Sequence, residues 1–417
     1  KLPFFSTIIP SRIFFLTTFC AAILSAYGIE KYLGLPDKKK MIGILVGLGI
    51  ILIYLWDLVV NYTNGPLLKE ITTVSLRNLI LPTTIFIAMA ILLLLGIAKK
   101  LRRYVYIGLV VLTFASSAYF ANKYFYFSEK RFVFPDVAVF SQLQKISGIN
   151  RVWSFGKGYV ERNIFTYYNL FSPEGYDSIY IKRYGELMQA AENNGIVSEQ
   201  TPRVDATLRF AEKEEEILTD PIRKKLLSLL GTRYIIGLAT NNDKEKAIPS
   251  LEKIWTDGIY TIYEHREAYP RFFLTNDYVL AKGKQDIVNA MFDPKTDLRK
   301  TLVLEEEPVG FEKKQNAGEN SVSLISYKPQ QVDFSVSTRE PSLLFLSDTY
   351  YPGWKAYVDG SQTKIYRADY AFRAAVVPKG LHAVEFRYEP LSFTLGLGSS
   401  ALGILLLVLI AGKIRFR

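Results

Sequence analysis

The sequence predicts a membrane α-helical bundle joined to an extracytoplasmic region, mixed α/β first and then a β-sandwich of jelly-roll-like character. Three observations predict it. Apolar residues gather in five runs, each close to the roughly 20 residues a helix needs to cross a bilayer. The excess positive charge flanks those runs, where basic residues set orientation. Between the fourth and fifth runs lies a long segment whose later part alternates apolar and polar residues between Pro, Gly and Asp turns.

The runs cover residues 13–32, 41–60, 79–98, 104–120 and 391–411. They explain a composition of 49% hydrophobic and only 22% charged residues, with a mean hydropathy of +0.11, above what a water-soluble chain of this length carries. Four organisational parts follow: a helical part at 1–127, a mixed α/β part at 128–270, a β-sandwich-like part at 271–390, and a last span with a short basic tail at 391–417. Because the chain opens on Lys1 without a signal-peptide pattern, it reads as a piece of a longer protein.

Charge orients the runs. Residues 128–390 hold 35 basic and 36 acidic side chains, whereas the remainder holds 16 basic and 4 acidic. The net charge of +11 therefore belongs to the membrane flanks and offers no surface for nucleic acid. Lys31, Lys38, Lys39, Lys40, Lys99, Lys100, Arg102, Arg103, Lys413, Arg415 and Arg417 fall on one side of the alternating loops. The other side has only Lys1, Arg12, Lys69, Arg77 and Lys123. The more basic side is cytoplasmic, which places residues 128–390 outside and the C-terminus inside a bacterial cytoplasmic membrane. Aromatic residues over 119–127 fit an interfacial belt at the outer exit.

In the external region, strands are expected at 151–155, 233–237 and 259–263, and helices at 137–146, 178–192 and 221–230. Further strands are expected at 332–338, 342–347, 355–358, 371–377 and 382–388. Turns at Pro352-Gly353, Asp359-Gly360 and Lys379-Gly380 separate several of them. One cysteine, Cys20, and two histidines, His265 and His382, exclude a disulfide and a Cys- or His-rich metal cluster. No cofactor signature appears, and a divalent metal stays open.

Candidate site residues are few. Asp57 is an acidic residue inside an apolar run, a weak catalytic candidate whose plainer reading is an interfacial side chain beside Trp56. Pro10-Ser11-Arg12 opens the first run on the outer side, where Arg12 can hold a lipid phosphate or simply anchor to headgroups. Asp348, Tyr350, Tyr351, Trp354 and Arg373 are glycan-binding candidates, because aromatic rings around a Pro-Gly turn beside charged groups can stack on a sugar. For Trp354, packing in a β-sheet core is the stronger reading. Asn163, Tyr168, Glu174–Asp177 and Arg183-Tyr184 gather at a loop-to-helix junction. There Asp177 is expected to cap the following helix, with Arg183-Tyr184 near its middle. No nucleophile–base triad, phosphate loop or dinucleotide fingerprint is present.

Several of these stretches together resemble the YfhO family of bacterial membrane proteins. The segment from Asp348 to Gly360 (DTYYPGWKAYVDG), the run from Arg367 to Arg373, and the two stretches Val377–His382 and Val384–Pro390 leading into the last span are similar to the family's ending. Glu174-Gly-Tyr-Asp177, LLSLLGTRYII at 226–236, Ile262-Tyr-Glu264, Pro270-Arg271 and Pro10–Phe14 resemble its upstream parts. The resemblance implies a GT-C-type glycosyltransferase-like protein that takes sugar from a polyprenyl-phosphate donor on the outer face. Its acceptor is a cell-envelope glycopolymer, such as the teichoic acid associated with some members. It further implies a catalytic carboxylate in an early external loop, expected upstream of Lys1, so no catalytic residue is carried over to this chain. The alternative from another class is a non-enzymatic, membrane-anchored envelope protein that binds a glycan or a partner.

Overall fold

The structure is a computed structural model and describes residues 14–34, 38–61, 69–125, 127–177, 180–198, 205–208, 219–239, 251–313 and 320–415. The chain divides into two compact units, residues 1–129 and 130–417.

The first unit is helical: Phe14–Gly34, Lys38–Asn61, Lys69–Leu95 and Arg102–Tyr124. Among the described residues, four helices are long and apolar enough to cross a membrane, Lys38–Asn61, Thr72–Leu95, Lys99–Tyr124 and Leu391–Ile410. Their large apolar side chains, among them Ile53, Phe114 and Leu407, are exposed, as they must be where lipid is the solvent. The first apolar run folds as the helix Phe14–Gly34. Pro82 lies inside Lys69–Leu95, where its ring removes a backbone donor. Beside it Thr83 Oγ1 donates to Leu79 O at 2.7 Å and accepts from Trp56 Nε1 at 2.9 Å, joining two helices through a polar contact. Asp57 is exposed on Lys38–Asn61 and accepts from the Asn61 amide one turn on.

The second unit carries three main sheets. The first orders Arg151–Ser154, Thr232–Leu238, Tyr260–His265 and Leu251–Thr256, with the first pair parallel and the others antiparallel. Helix Pro221–Leu229 leads into its second strand. Asp220 caps that helix by accepting from Ile222 N and Arg223 N, and Pro221 occupies a first-turn site where its missing N–H costs nothing.

The other two sheets are five- and six-stranded. The five-stranded order is Ser321–Lys328, Gln331–Thr338, Gly380–Tyr388, Trp354–Val358 and Ser361–Thr363, all antiparallel. The six-stranded order is Phe272–Thr275, Ser342–Thr349, Phe372–Val377, Ile365–Ala368, Thr301–Leu304 and Asp277–Leu280, with only the last pair parallel.

Period-two alternation sorts the core. Leu344, Leu346, Ala375 and Val377 of the six-stranded sheet pack with Val332, Phe334, Val336 and Phe386 of the five-stranded one. Leu343, Phe345, Phe372 and Ala374 point the other way, into a cluster with Leu187, Leu226, Ile287 and Met291 from helices. Ser342–Thr349 is thus buried on both faces, which is why Leu343-Leu344-Phe345-Leu346 reads as a continuous apolar run. Each such side chain contributes about 1.5–3 kcal/mol when fully buried.

Two sequence expectations fail here. The helix expected from 178 begins at Lys182, and residues 178 and 179 lie outside those described. Ile181 occupies its N-cap without any side-chain bond, so Asp177 does not cap it. Arg183 and Tyr184 consequently sit in the first turn rather than the middle, because the helix starts only at Lys182.

Candidate functional site

Asp348 is set by an irregularity in its strand. The pairing of Ser342–Thr349 with Phe372–Val377 shifts between Leu346 and Thr349, so Ser347 and Asp348 leave the regular ladder. Such a bulge re-aims side chains. Ser347 N then bonds Arg271 O at 2.7 Å, and the Asp348 carboxylate turns into a cluster of arginines.

Three guanidiniums meet that one carboxylate. Arg271 Nη2 donates to Oδ1 at 2.6 Å, Arg151 Nη2 to Oδ1 at 3.2 Å and Arg373 Nη2 to Oδ2 at 3.3 Å. The Tyr327 hydroxyl donates to Oδ2 at 2.7 Å. Burial alone would raise the pKa of Asp348, but Arg271, Arg151 and Arg373, with the Tyr327 bond, outweigh it and hold the carboxyl at about 2. Burial and the adjacent Asp348 charge push the Tyr327 phenol up to about 12. Burial lowers the Arg151 and Arg373 values as well, yet guanidinium stays cationic.

The arginines differ in how they are held. Arg151, at the start of its strand, also donates to Leu230 O, Ser347 Oγ and Ser347 O. Arg271 donates to Ile149 O at 2.8 Å and lies against the rings of Phe171 and Tyr327, 4.6 and 4.7 Å from their centres. Arg373 lies 3.9 Å from the centre of the Trp354 ring, and its Nε and Nη1 have no hydrogen-bond partner although the side chain is 2% exposed.

Arg151, Arg373, Asp348, Tyr327 and Trp354 line a cavity of about 380 Å³. Across it stand Tyr180 and Tyr184 and the loop Ser172–Gly175, with Asp177 in the wall and Lys328 at the exposed rim. Gly185 makes room for this wall, since a Cβ there would overlap the Tyr180 ring. Glu174 is engaged, accepting from Leu208 N at 2.6 Å and pairing with Arg162 at 3.7 Å. Asn163 holds the backbone of Tyr176 through two bonds, a positioning contact for the same loop.

The Pro-Gly turn places Trp354. Trp354 N bonds Tyr351 O at 3.3 Å, and Gly353 takes φ +103°, a conformation that favours glycine. Glu389 N bonds Gly353 O at 2.7 Å, tying the turn to the chain entering the helix Leu391–Arg415.

The structure brings together Asp348, Trp354 and Arg373 but not the neighbouring tyrosines. Tyr350 lies under the Arg367 guanidinium at 4.6 Å, and Tyr351 is exposed near Tyr388. Arg12 lies outside the described residues. Arg151, Arg271 and Tyr327 were not among the candidates, because nothing in their local sequence marks them as partners of Asp348. Among the described residues no group of three or more His, Cys, Asp or Glu is placed to hold a metal ion.

Comparison with the curated proteins and with the solved structures gave no match. Residues 293–400 do match a family model, described as "Bacterial membrane protein YfhO". That stretch contains Tyr327, Asp348, Trp354 and Arg373, whereas Arg151 and Arg271 precede it. Over residues 293–400, through the strands that carry Asp348 and into the last membrane helix, the chain is similar to the YfhO family of bacterial membrane proteins.

Proposed function

We propose that this membrane protein is part of a GT-C-type glycosyltransferase-like enzyme that moves a sugar from a polyprenyl-phosphate donor onto a cell-envelope polymer such as teichoic acid. In this reading five helices span the membrane, residues 128–390 face outward with a jelly-roll-like sandwich, and the C-terminus is cytoplasmic. The outward region holds the acceptor. A carboxylate base takes the proton of an acceptor hydroxyl, whose oxygen attacks the anomeric carbon while the bond to phosphate breaks and polyprenyl phosphate leaves. Arg12 steadies the departing phosphate charge.

The observation that carries acceptor holding is the 380 Å³ cavity walled by Trp354, Tyr180, Tyr184 and arginines in the second unit. A few fixed polar groups in an aromatic-lined concavity are what orient a small ligand. The test is a transfer assay on the complete protein with defined polyprenyl-linked sugars and envelope polymer. Transfer that survives unchanged in Arg12→Ala removes Arg12 from this scheme. A failure of every donor rejects the enzymatic reading.

One observation favours a second reading, glycan or partner binding without chemistry. Asp348, one of three carboxylates that line the cavity, is held at about 2 by its arginines and is therefore a poor base near neutral pH. Glycan binding that persists in a protein inactive with every donor would select this reading.

A further inference from the structure

We propose that the cavity takes an oxyanion, a phosphate or carboxylate group carried by the bound molecule, with Arg373 as its principal partner. This deepens the acceptor-holding reading and rests on it, naming the chemical class that the cavity selects.

Charge comes first. Arg151, Arg271 and Arg373 converge on a single carboxylate, Asp348, and Tyr327 donates as a neutral phenol. Two positive charges are left over in a buried place, and an unpaired buried charge is strongly unfavourable. An incoming anion offsets that excess.

Hydrogen bonding then singles out one arginine. Arg151 spends its donors on backbone, Ser347 and Asp348 oxygens, and Arg271 on Ile149 O, Tyr327 and Asp348; Arg271 Nε is unpartnered as well, but Arg271 does not line the cavity. Arg373 gives one bond, to Asp348, and keeps Nε and Nη1 unpartnered at 2% exposure while its side chain lines the cavity. Its position is fixed by the Trp354 ring on one side and Asp348 at its end. A preorganised guanidinium with free N–H groups suits the oxygens of phosphate or carboxylate.

The acids of the wall do not cancel this. Glu174 is occupied by Leu208 N and Arg162, and Asp177 is exposed to solvent. The volume of about 380 Å³ exceeds what one small anion fills, so the anion is a substituent on something ring-sized that meets Tyr180 and Tyr184.

The experiment titrates the full chain in detergent micelles with glucose, glucose 1-phosphate, glucuronate and inorganic phosphate, reading tryptophan emission and calorimetric heat. At least one anionic sugar should bind ten-fold or more tightly than glucose, and that preference should shrink as salt is raised. Whichever of glucose 1-phosphate and glucuronate binds tighter identifies the oxyanion. Because Arg373 covers Trp354, the emission change should disappear in Trp354→Phe while the heat of binding remains. Arg373→Gln should abolish the preference, and Arg373→Lys should keep part of it.

Equal binding of glucose and its charged relatives overturns the anion inference while leaving acceptor holding intact. No binding by any sugar or by phosphate overturns both. An emission change that persists in Trp354→Phe places the anion elsewhere and also rejects the inference.

Discussion

The Arg373 guanidinium lies 3.9 Å from the centre of the Trp354 ring. The two residues stand on strands of different sheets, Phe372–Val377 and Trp354–Val358, so this cation–π contact ties the six-stranded sheet to the five-stranded one beside the cavity. Trp354 also packs against the core shared by those sheets. The ring that looked able to stack on a sugar has an arginine over it, and any ligand here meets Arg373 as well as aromatic surface.

Trp354→Ala should therefore lower stability by about 1.5–3 kcal/mol, less than the loss of a fully buried aromatic, because Trp354 is half-buried against the core. Trp354→Phe should lose much less, because a ring stays under the guanidinium. Thermal unfolding followed by near-ultraviolet circular dichroism separates the two. Equal stability of Trp354→Ala and the native chain would refute the core role.

Asp348→Ala should destabilise by about 3–5 kcal/mol, since it leaves three buried guanidiniums without their counter-charge. The same pairing predicts an acid limb. The folded value of about 2 lies below the unfolded one, so this contribution is present above about pH 4 and is lost as pH falls toward 2. Melting temperatures taken from pH 5 down to 2.5 should fall more steeply for the native chain than for Asp348→Asn.

Asp369 should act in the opposite sense. It is fully buried, accepts from Val303 N at 2.8 Å through Oδ1, and burial raises its value to about 7 against the weaker opposing effects of that bond and Lys225. Between about pH 4 and 7 the unfolded chain is ionised there and the folded one is not. Stability falls as pH rises across that window, by about 1.4 kcal/mol per unit. Asp369→Asn removes the titration, and asparagine tolerates the local φ of +45°. The variant should show a flatter stability profile from pH 4.5 to 7.5 in denaturant titrations.

Gly353→Ala should cost about 1–3 kcal/mol. Its φ is +103°, and an added Cβ would stand 3.0 Å from both Pro390 and Tyr388. Gly360→Ala, also at positive φ but with nothing near its Cβ, should cost less. Chemical denaturation of both variants gives the comparison.

Much of the architecture was legible along the chain. Strands expected at 332–338, 342–347, 355–358, 371–377 and 382–388 appear as Gln331–Thr338, Ser342–Thr349, Trp354–Val358, Phe372–Val377 and Gly380–Tyr388. Helices expected at 137–146 and 221–230 appear as Ala138–Ile146 and Pro221–Leu229. Less regular strands escaped notice. Ser361–Thr363 is too short to show a period, and Thr301–Leu304 is buried almost throughout, so apolar and polar residues do not alternate along it.

The sequence by itself determined where lipid must solvate the chain and where strands must form, because apolar runs and two-residue alternation are local properties that each segment carries alone. It also carried Asp348, Trp354 and Arg373 within one recognisable stretch. Only the tertiary structure decided that Arg271 and Arg151, 77 and 197 residues away from Asp348 in the chain, share its carboxylate. Sheet order and a bulge create that meeting, and charge pairing between distant strands leaves no periodic trace in the residues on either side.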